Sequence, residues 1–384
     1  METKKKTYFE NLDGLRTTAF LLVFLQHSLL AWTSRLKPAE RPSNIFFSFI
    51  SGSGGLGVSV FFVLSGFLIT YLLLHEKELK GRINVPFFYM RRVLRIWPLY
   101  YVVILFAIYL YPYLKAKLGN PSPAVGSAVS HPFYYFAFLA NFDVLNVFKH
   151  KEGLDAQQAV TWSVAVEEQF YLIWPLLFYF TPRKFYKFIC IAAILLCQVF
   201  RIIHKDDDIT LYYHSLSVIA DLALGGLCGY YAYYSSQFKL FFQQLNKPSI
   251  ILIYLLGCLW IVYANNLFKS PLFDACGRLV NTLFYAFVIL EQNYSTNSFF
   301  KFSNNKVFSF LGKYTYGLYL MHPIAIRFTE IILNKGLKIS IYGGSVYYSE
   351  QTIVSLFLAI VMSYLSYEFF EQRFLRLKHK YSLS

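Results

Sequence analysis

Charge is what this sequence has least of. Only 15% of its 384 residues are Asp, Glu, Lys or Arg, where a soluble globular domain carries about 25%. Beside 56% apolar and 20% aromatic residues, that deficit argues against a water-facing surface over most of the chain. Cysteine is scarce too. Cys190, Cys197, Cys228, Cys258 and Cys276 lie in or at the edges of apolar runs, without a C-x-x-C pair or metal-ligand spacing. They read as small core hydrophobes, and nothing points to a disulfide framework or a bound metal. A Gly-x-Ser-x-Gly elbow is also missing, which argues against hydrolase-type serine chemistry. No low-complexity linker and no 20–50-residue period divides the chain, so residues 1–384 read as one domain.

What is present is a series of long apolar runs, near 17–34, 56–75, 96–114, 161–180, 187–203, 211–234, 249–267, 274–291, 314–333 and 350–371. Each approaches the length that crosses a bilayer. The expectation is an all-α membrane protein of about ten transmembrane helices. Phe133–Phe148 is apolar but short and contains Asp143, so it is expected to be re-entrant or interfacial. No small-residue cleavage site follows the first run, which is therefore expected to be a retained span.

The net charge of +15 has a membrane explanation. With the N-terminus inside, most of the 36 Lys and Arg residues fall in inner connections or at inner helix ends, which places both termini in the cytoplasm. The cations would also attract anionic membrane lipids. They are dispersed among short loops with no separate soluble domain, a poor fit to nucleic-acid binding.

Ionisable groups inside apolar spans are costly and tend to mark a pathway or a reaction. Arg16 and His27 share the run Leu12–Leu30, eleven residues or about 16 Å apart on one helical face. Glu167 and Glu168, in Thr161-Trp-Ser-Val-Ala-Val-Glu-Glu-Gln-Phe-Tyr171, lie about as far from the outer end of their run as His27 does from its own. A histidine and a carboxylate at matching depth are expected to pair, fixing the imidazole tautomer and raising its basicity; the alternative is a structural contact between two helices. Arg91, Arg92 and Arg95 occur where the chain enters the membrane from the cytoplasm. Spacings of three and four put Arg92 with Arg95, or Arg91 with Arg95, on one face. Guanidinium groups suit bidentate contact with phosphate, although a basic cluster alone would read as a lipid anchor. Arg16, at the same inner level, favours convergence on one anionic ligand. His322, before Pro323, is either a polar contact at a helix kink or a substrate contact. Asp221 and His214 share a face as interhelical partners. Gly52-Ser-Gly-Gly-Leu-Gly57 reads as a close helix approach rather than a phosphate cradle.

Taken together, the motifs resemble the acyltransferase-3 family, the multi-spanning enzymes that O-acylate bacterial polysaccharides and related acceptors. The matching segments are Leu12-Asp-Gly-Leu-Arg16 with His27, Gly57-Val-Ser-Val-Phe-Phe-Val-Leu-Ser-Gly-Phe-Leu-Ile-Thr70, Arg91-Arg-Val-Leu-Arg-Ile-Trp-Pro98, Thr161–Tyr171 and Tyr316-Gly-Leu-Tyr-Leu-Met-His-Pro323. Phe370-Glu-Gln-Arg-Phe374 is similar to the family's closing segment, with Arg373 where proline is usual. The ordered set covers residues 8 to about 378.

The resemblance implies a multi-pass protein of the bacterial cytoplasmic membrane. No cofactor is implied as permanently bound, and the donor is implied as the co-substrate acyl-CoA, with acetyl as the default acyl group. Arg92 and Arg95 would hold the CoA phosphates, assisted by Arg91 and Arg16. His27 would be general base on the acceptor hydroxyl, and Glu167 would orient it or carry charge for it. Glu168 and His322 are possible substrate contacts. The acceptor would be a carbohydrate or glycolipid in a pocket shaped by the outer loops Ala116–His131 and Asn334–Ser349. Direct transfer is favoured over an acyl-serine on Ser65, with an acyl-histidine relay through His27 as an alternative. The rival reading of the whole chain, a transporter or exporter of an anionic solute, would be expected to show repeated halves, which the sequence lacks.

Overall fold

The computed structural model describes residues 8–34, 36–37, 39, 41, 44–117, 131–150, 154–267, 270–333 and 344–381. Most of the loops 116–131 and 334–349, expected to shape the acceptor pocket, lies outside the described residues. All regular structure among the described residues is helical. The first half holds α1 (Asn11–Thr33), α2 (Ile45–Lys80), α3 (Val85–Leu105), α4 (Tyr111–Lys117), α5 (Pro132–Phe136), α6 (Ala140–Lys149), α7 (Ala156–Ala159), α8 (Thr161–Phe180) and α9 (Tyr186–Ile203). The second holds α10 (Asp208–Tyr213), α11 (Ser215–Tyr234), α12 (Ser236–Gln244), α13 (Lys247–Leu267), α14 (Pro271–Tyr294), α15 (Lys306–Gly312), α16 (Thr315–Ile331), α17 (Gly344–Ser366) and α18 (Gln372–Leu377).

Every apolar run expected to span is helical. By length and composition seven spans qualify among the described residues, or eight if α12 and α13, bent by 92°, form one broken span. Neither α8 nor α16 is among them. Glu167, Glu168 and Gln169 interrupt the apolar sequence of α8, and α16 has only 17 residues. The segment 133–148 forms the short helices α5 and α6, joined through Phe138 at φ 54°. Gln169 Nε2 donates to the Phe138 carbonyl at 2.9 Å and to Asn141 Oδ1 at 2.8 Å. Tyr135 donates to Asp143. The polar group that argued against a span is thus satisfied inside the protein.

Two glycine contacts set the central packing. A Cβ on Gly66 would lie 1.9 Å from the Leu222 carbonyl oxygen, and one on Gly225 would lie 2.1 Å from that of Val63. Only glycine allows α2 and α11 to cross backbone to backbone, the usual device where lipid removes the hydrophobic drive between helices. Gly57 presses against the Ala19 carbonyl in the same way, as expected for its glycine-rich stretch, which is continuous helix. Around this crossing, the main apolar core joins α2, α3, α8 and α11. Leu195, Leu196 and Val199 on α9, and Leu252, Leu255 and Leu256 on α13, are exposed, as lipid-facing residues would be.

The α2–α3 connection fixes where the arginines start. Gly81, in the left-handed conformation at φ 72°, ends α2, and the Asn84 side chain caps α3 by accepting from Phe87 N–H at 3.1 Å. Elsewhere, Asp221 finds an interhelical partner, as expected. It accepts from Arg278 Nη2 at 2.6 Å and from Thr282 Oγ1 at 2.6 Å across α11 and α14, while the His214 ring stacks on Phe200. Cys190, Cys197 and Cys228 are buried as expected, whereas Cys258 is exposed on α13.

Candidate active site

A partly open cavity runs between α1, α2, α3, α8 and α16. Its wall on α2 extends from Val58 to Ile69, about 16 Å at helical rise. Three arginines line it: Arg16, Arg92 and Arg95. Arg16 is aimed by its own helix, donating from Nη1 to Asp13 Oδ1 at 2.5 Å one turn earlier. Asp13 also accepts from the Tyr8 hydroxyl; that bond, with burial, pushes the Tyr8 phenol up to about 12. Arg92 lies over the rings of Phe88 and Tyr171, 5.5 and 5.6 Å from their centroids, and its Nε is buried without a hydrogen-bond partner. A buried guanidinium N–H left unpaired is costly, and a ligand oxygen would satisfy it. Arg95 is exposed at the cavity edge.

Arg91 lies apart from these three arginines. Its Nη2 donates to the buried Glu76 at 2.8 Å and its Nη1 to the Tyr381 carbonyl at 2.8 Å. It fastens the chain's last helical turn to α3 and is not part of the cavity wall. Helical spacing allowed either 91/95 or 92/95 as the pair; an acid on α2 takes Arg91 out.

The carboxylates differ from expectation as well. Glu167 does not pair with His27. It lines the cavity among the three arginines, and its Oε1 accepts from Ser65 Oγ at 2.5 Å. Glu168, one residue on, turns away from the cavity, where Trp97 Nε1 donates to its Oε2 at 2.8 Å. The sequence reading overlooked Ser65 as Glu167's partner, and it overlooked the aromatic wall of Tyr171, Tyr316 and Tyr319. Of these, Tyr316 donates to the Ile96 carbonyl at 2.7 Å.

His27 meets His322 instead. Its Nδ1 lies 2.6 Å from His322 Nε2, and the two rings lie edge to edge and nearly coplanar, with centroids 4.9 Å apart and planes 13° apart. His322 is fully buried, with Phe20, Phe24 and Tyr319 presenting ring edges to it. The histidine pair adjoins the end of the cavity remote from Tyr171, where Ser163 Oγ and Tyr319 OH lie 2.6 Å apart. Tyr319 belongs to both places: its ring lines the cavity, and its carbonyl lies 2.7 Å from His322 Nδ1. The arrangement is a cavity lined by three arginines, with a histidine pair beyond its far end.

The chain is 28% identical over 382 residues to the O-acetyltransferase OatA of Staphylococcus aureus, strain NCTC 8325 / PS 47, covering 95% of this chain and 57% of that protein. It is also 28% identical over 389 residues to a putative O-acetyltransferase, SACOL0978, of Staphylococcus aureus strain COL, covering 97% of this chain and 58% of the relative. The chain thus spans somewhat over half the length of these curated relatives. No solved structure matches it. The family model described as an acyltransferase domain matches residues 9–367, nearly the whole of the chain, and on that match the chain belongs to the acyltransferase-3 family.

Proposed function

We propose that this protein is a membrane O-acyltransferase that moves an acetyl group from cytoplasmic acetyl-CoA to a hydroxyl of a carbohydrate acceptor on the far side of the bilayer. The observation that carries this reading is the cavity. It joins Arg16, Arg92 and Arg95 to the neighbourhood of the His27–His322 pair along about 16 Å of α2, a reach that suits an extended pantetheine arm. The O-acetyltransferase relatives support the reaction class. The cation bias of the connections supports an orientation with both termini in the cytoplasm and the arginines on the inner side.

In this reading the arginines hold the donor phosphates by charge-assisted hydrogen bonds, and the arm lies past Ser65 and Glu167 with the thioester toward Tyr319. His27 takes the proton from the acceptor hydroxyl, and that oxygen attacks the thioester carbonyl. The carbon–sulfur bond breaks, and the proton passes from His27 to the departing thiolate. A positioned base contributes about 10²–10⁴-fold to such a step, and the aromatic lining limits the water that would hydrolyse the thioester. Glu167 offsets the charge of the three arginines. Near the outer end of α1, Trp32 Nε1 and Gln351 Oε1 are buried and lack hydrogen-bond partners, and these are polar groups that an acceptor hydroxyl would satisfy.

The test is ester-linked acetate on the surface polysaccharide of the host, measured by mass spectrometry with the wild-type protein, with none, and with His27→Ala. His27→Ala is expected to match the strain lacking the protein while still inserting and eluting as a folded species in detergent. Wild-type acetylation in that variant would overturn the reading.

A further inference from the structure

We propose that His322 is a positioning residue that sets the tautomer of His27, through a relay ending on a backbone carbonyl instead of a carboxylate. The inference rests on the reading of His27 as the base. It begins with a proline. In a continuous α-helix the N–H of residue 323 would donate to the carbonyl of residue 319. Pro323 has no N–H, so the Tyr319 carbonyl is left without its helical donor. His322 Nδ1 lies 2.7 Å from that oxygen. A carbonyl can only accept, so the proton is on His322 Nδ1.

A neutral imidazole carries one N–H and one lone pair. With Nδ1 protonated, His322 Nε2 is the acceptor. Its neighbour at 2.6 Å is His27 Nδ1, so His27 Nδ1 carries a proton and donates. His27 Nε2 is then the unprotonated nitrogen, the form a general base needs. The surrounding side chains keep this order: Phe20 and Phe24 present ring edges to His322, and its full burial excludes water as a competing partner. The device does what a carboxylate does behind a catalytic histidine without a charge in the span.

Two variants separate positioning from packing. His322→Leu removes the acceptor; His322→Gln keeps one acceptor for His27 and one donor for the Tyr319 carbonyl. With both in proteoliposomes, His322→Leu is expected to lower kcat about 100-fold, the upper range for losing a residue that orients a ligand or base, with KM for acetyl-CoA within twofold of wild type. His322→Gln is expected to recover most of the lost rate. Equal losses in the two variants, or a loss in KM with kcat unchanged, would overturn the proposal, as would wild-type kcat in His322→Leu.

If His322→Leu does not fold, the nitrogen-15 spectrum of histidine-labelled wild-type protein decides. A neutral His27 protonated on Nδ1 supports the relay, and one protonated on Nε2 overturns it. His27→Ala is the separating control: full activity there removes the base reading itself, whereas inactive His27→Ala with fully active His322→Leu removes only the relay.

Discussion

Arg91 and Arg92 are neighbours in sequence, and the structure sets them in different surroundings, which makes them the sharpest test of the proposed donor site. Arg92 presents a buried, unpartnered Nε at the cavity. Bonds to charged groups contribute about 1.5–3 kcal/mol each. A factor of ten in affinity corresponds to about 1.4 kcal/mol, so losing one such bond weakens acetyl-CoA binding roughly 10- to 100-fold. Arg92→Ala should therefore raise KM by that factor, and Arg92→Lys should recover only part of it, because an ammonium lacks the guanidinium fork. Arg91 is not among the residues that line the cavity. Its loss leaves Glu76, 2% exposed, with the Asn84 backbone N–H at 3.1 Å as its remaining partner. Breaking a buried pair from one side costs roughly 3 kcal/mol. Arg91→Ala should lower thermal stability in detergent and leave KM near wild type. Thiol release from acetyl-CoA, beside a melting curve for each variant, checks both. An Arg91→Ala rise in KM as large as that of Arg92→Ala, or none in the latter, would refute the assignment.

Glu167→Gln keeps an acceptor for Ser65 but removes the negative charge facing three arginines. Free CoA should then bind several-fold tighter, in line with about 1 kcal/mol for like charges at partly screened distance; weaker binding by calorimetry would show that the carboxylate is needed to hold the arginines. Gly225→Val drives a side chain into the Val63 carbonyl and should abolish the monodisperse folded species on size-exclusion chromatography, so a wild-type elution profile would contradict the close crossing. Asp207 caps α10, accepting from Thr210 N–H at 2.9 Å and from Lys149 at 2.7 Å. Asp207→Ala should cost about 1 kcal/mol of stability and leave the kinetics unchanged. Burial opposes ionisation of Asp207, but the bonds from Lys149 and Thr210 outweigh it and hold the carboxyl down at about 2. Its contribution is therefore complete above the ordinary Asp range near 4 and is lost as pH falls through about 2, so wild type and variant should differ in melting temperature at pH 7 and converge at the acid limit.

Hydropathy placed the helices well because lipid imposes one rule on every span, and the two helices that fail the span criteria show where that rule is relaxed. In α8, three consecutive polar residues, Glu167, Glu168 and Gln169, each find a partner inside the protein: Ser65, Trp97 and the turn at Phe138. In α16, the short length and Pro323 accompany His322. The sequence features that make a stretch a poor membrane span are here the ones that build the candidate site. Arg91 was not separable from Arg92 by spacing, because the choice depends on Glu76, fifteen residues away on the preceding helix.

The misjudged depth of Glu167 has a different cause. Counting residues inward from the end of an apolar run gives depth only if that end lies at the membrane surface. The start of α8 does not behave like a surface end: Val160 is 2% exposed and Thr161 is fully buried, with α6 and α7 packed against the helix. Glu167 is accordingly set among the arginines rather than beside His27. That displacement removes the carboxylate from His27 and leaves its Nδ1 in need of another acceptor. His322 can serve because its own Nδ1 proton is directed at backbone carbonyls, with the Tyr319 carbonyl that Pro323 has freed at 2.7 Å. The run Tyr319-Leu-Met-His-Pro323 carried this signal: a histidine directly before a proline, in a helix where the carbonyl four residues before that proline has no backbone donor, has an acceptor for one ring proton within one turn. The tautomer of a base can thus be specified from a helix the base does not belong to, without an acid at that depth of the membrane.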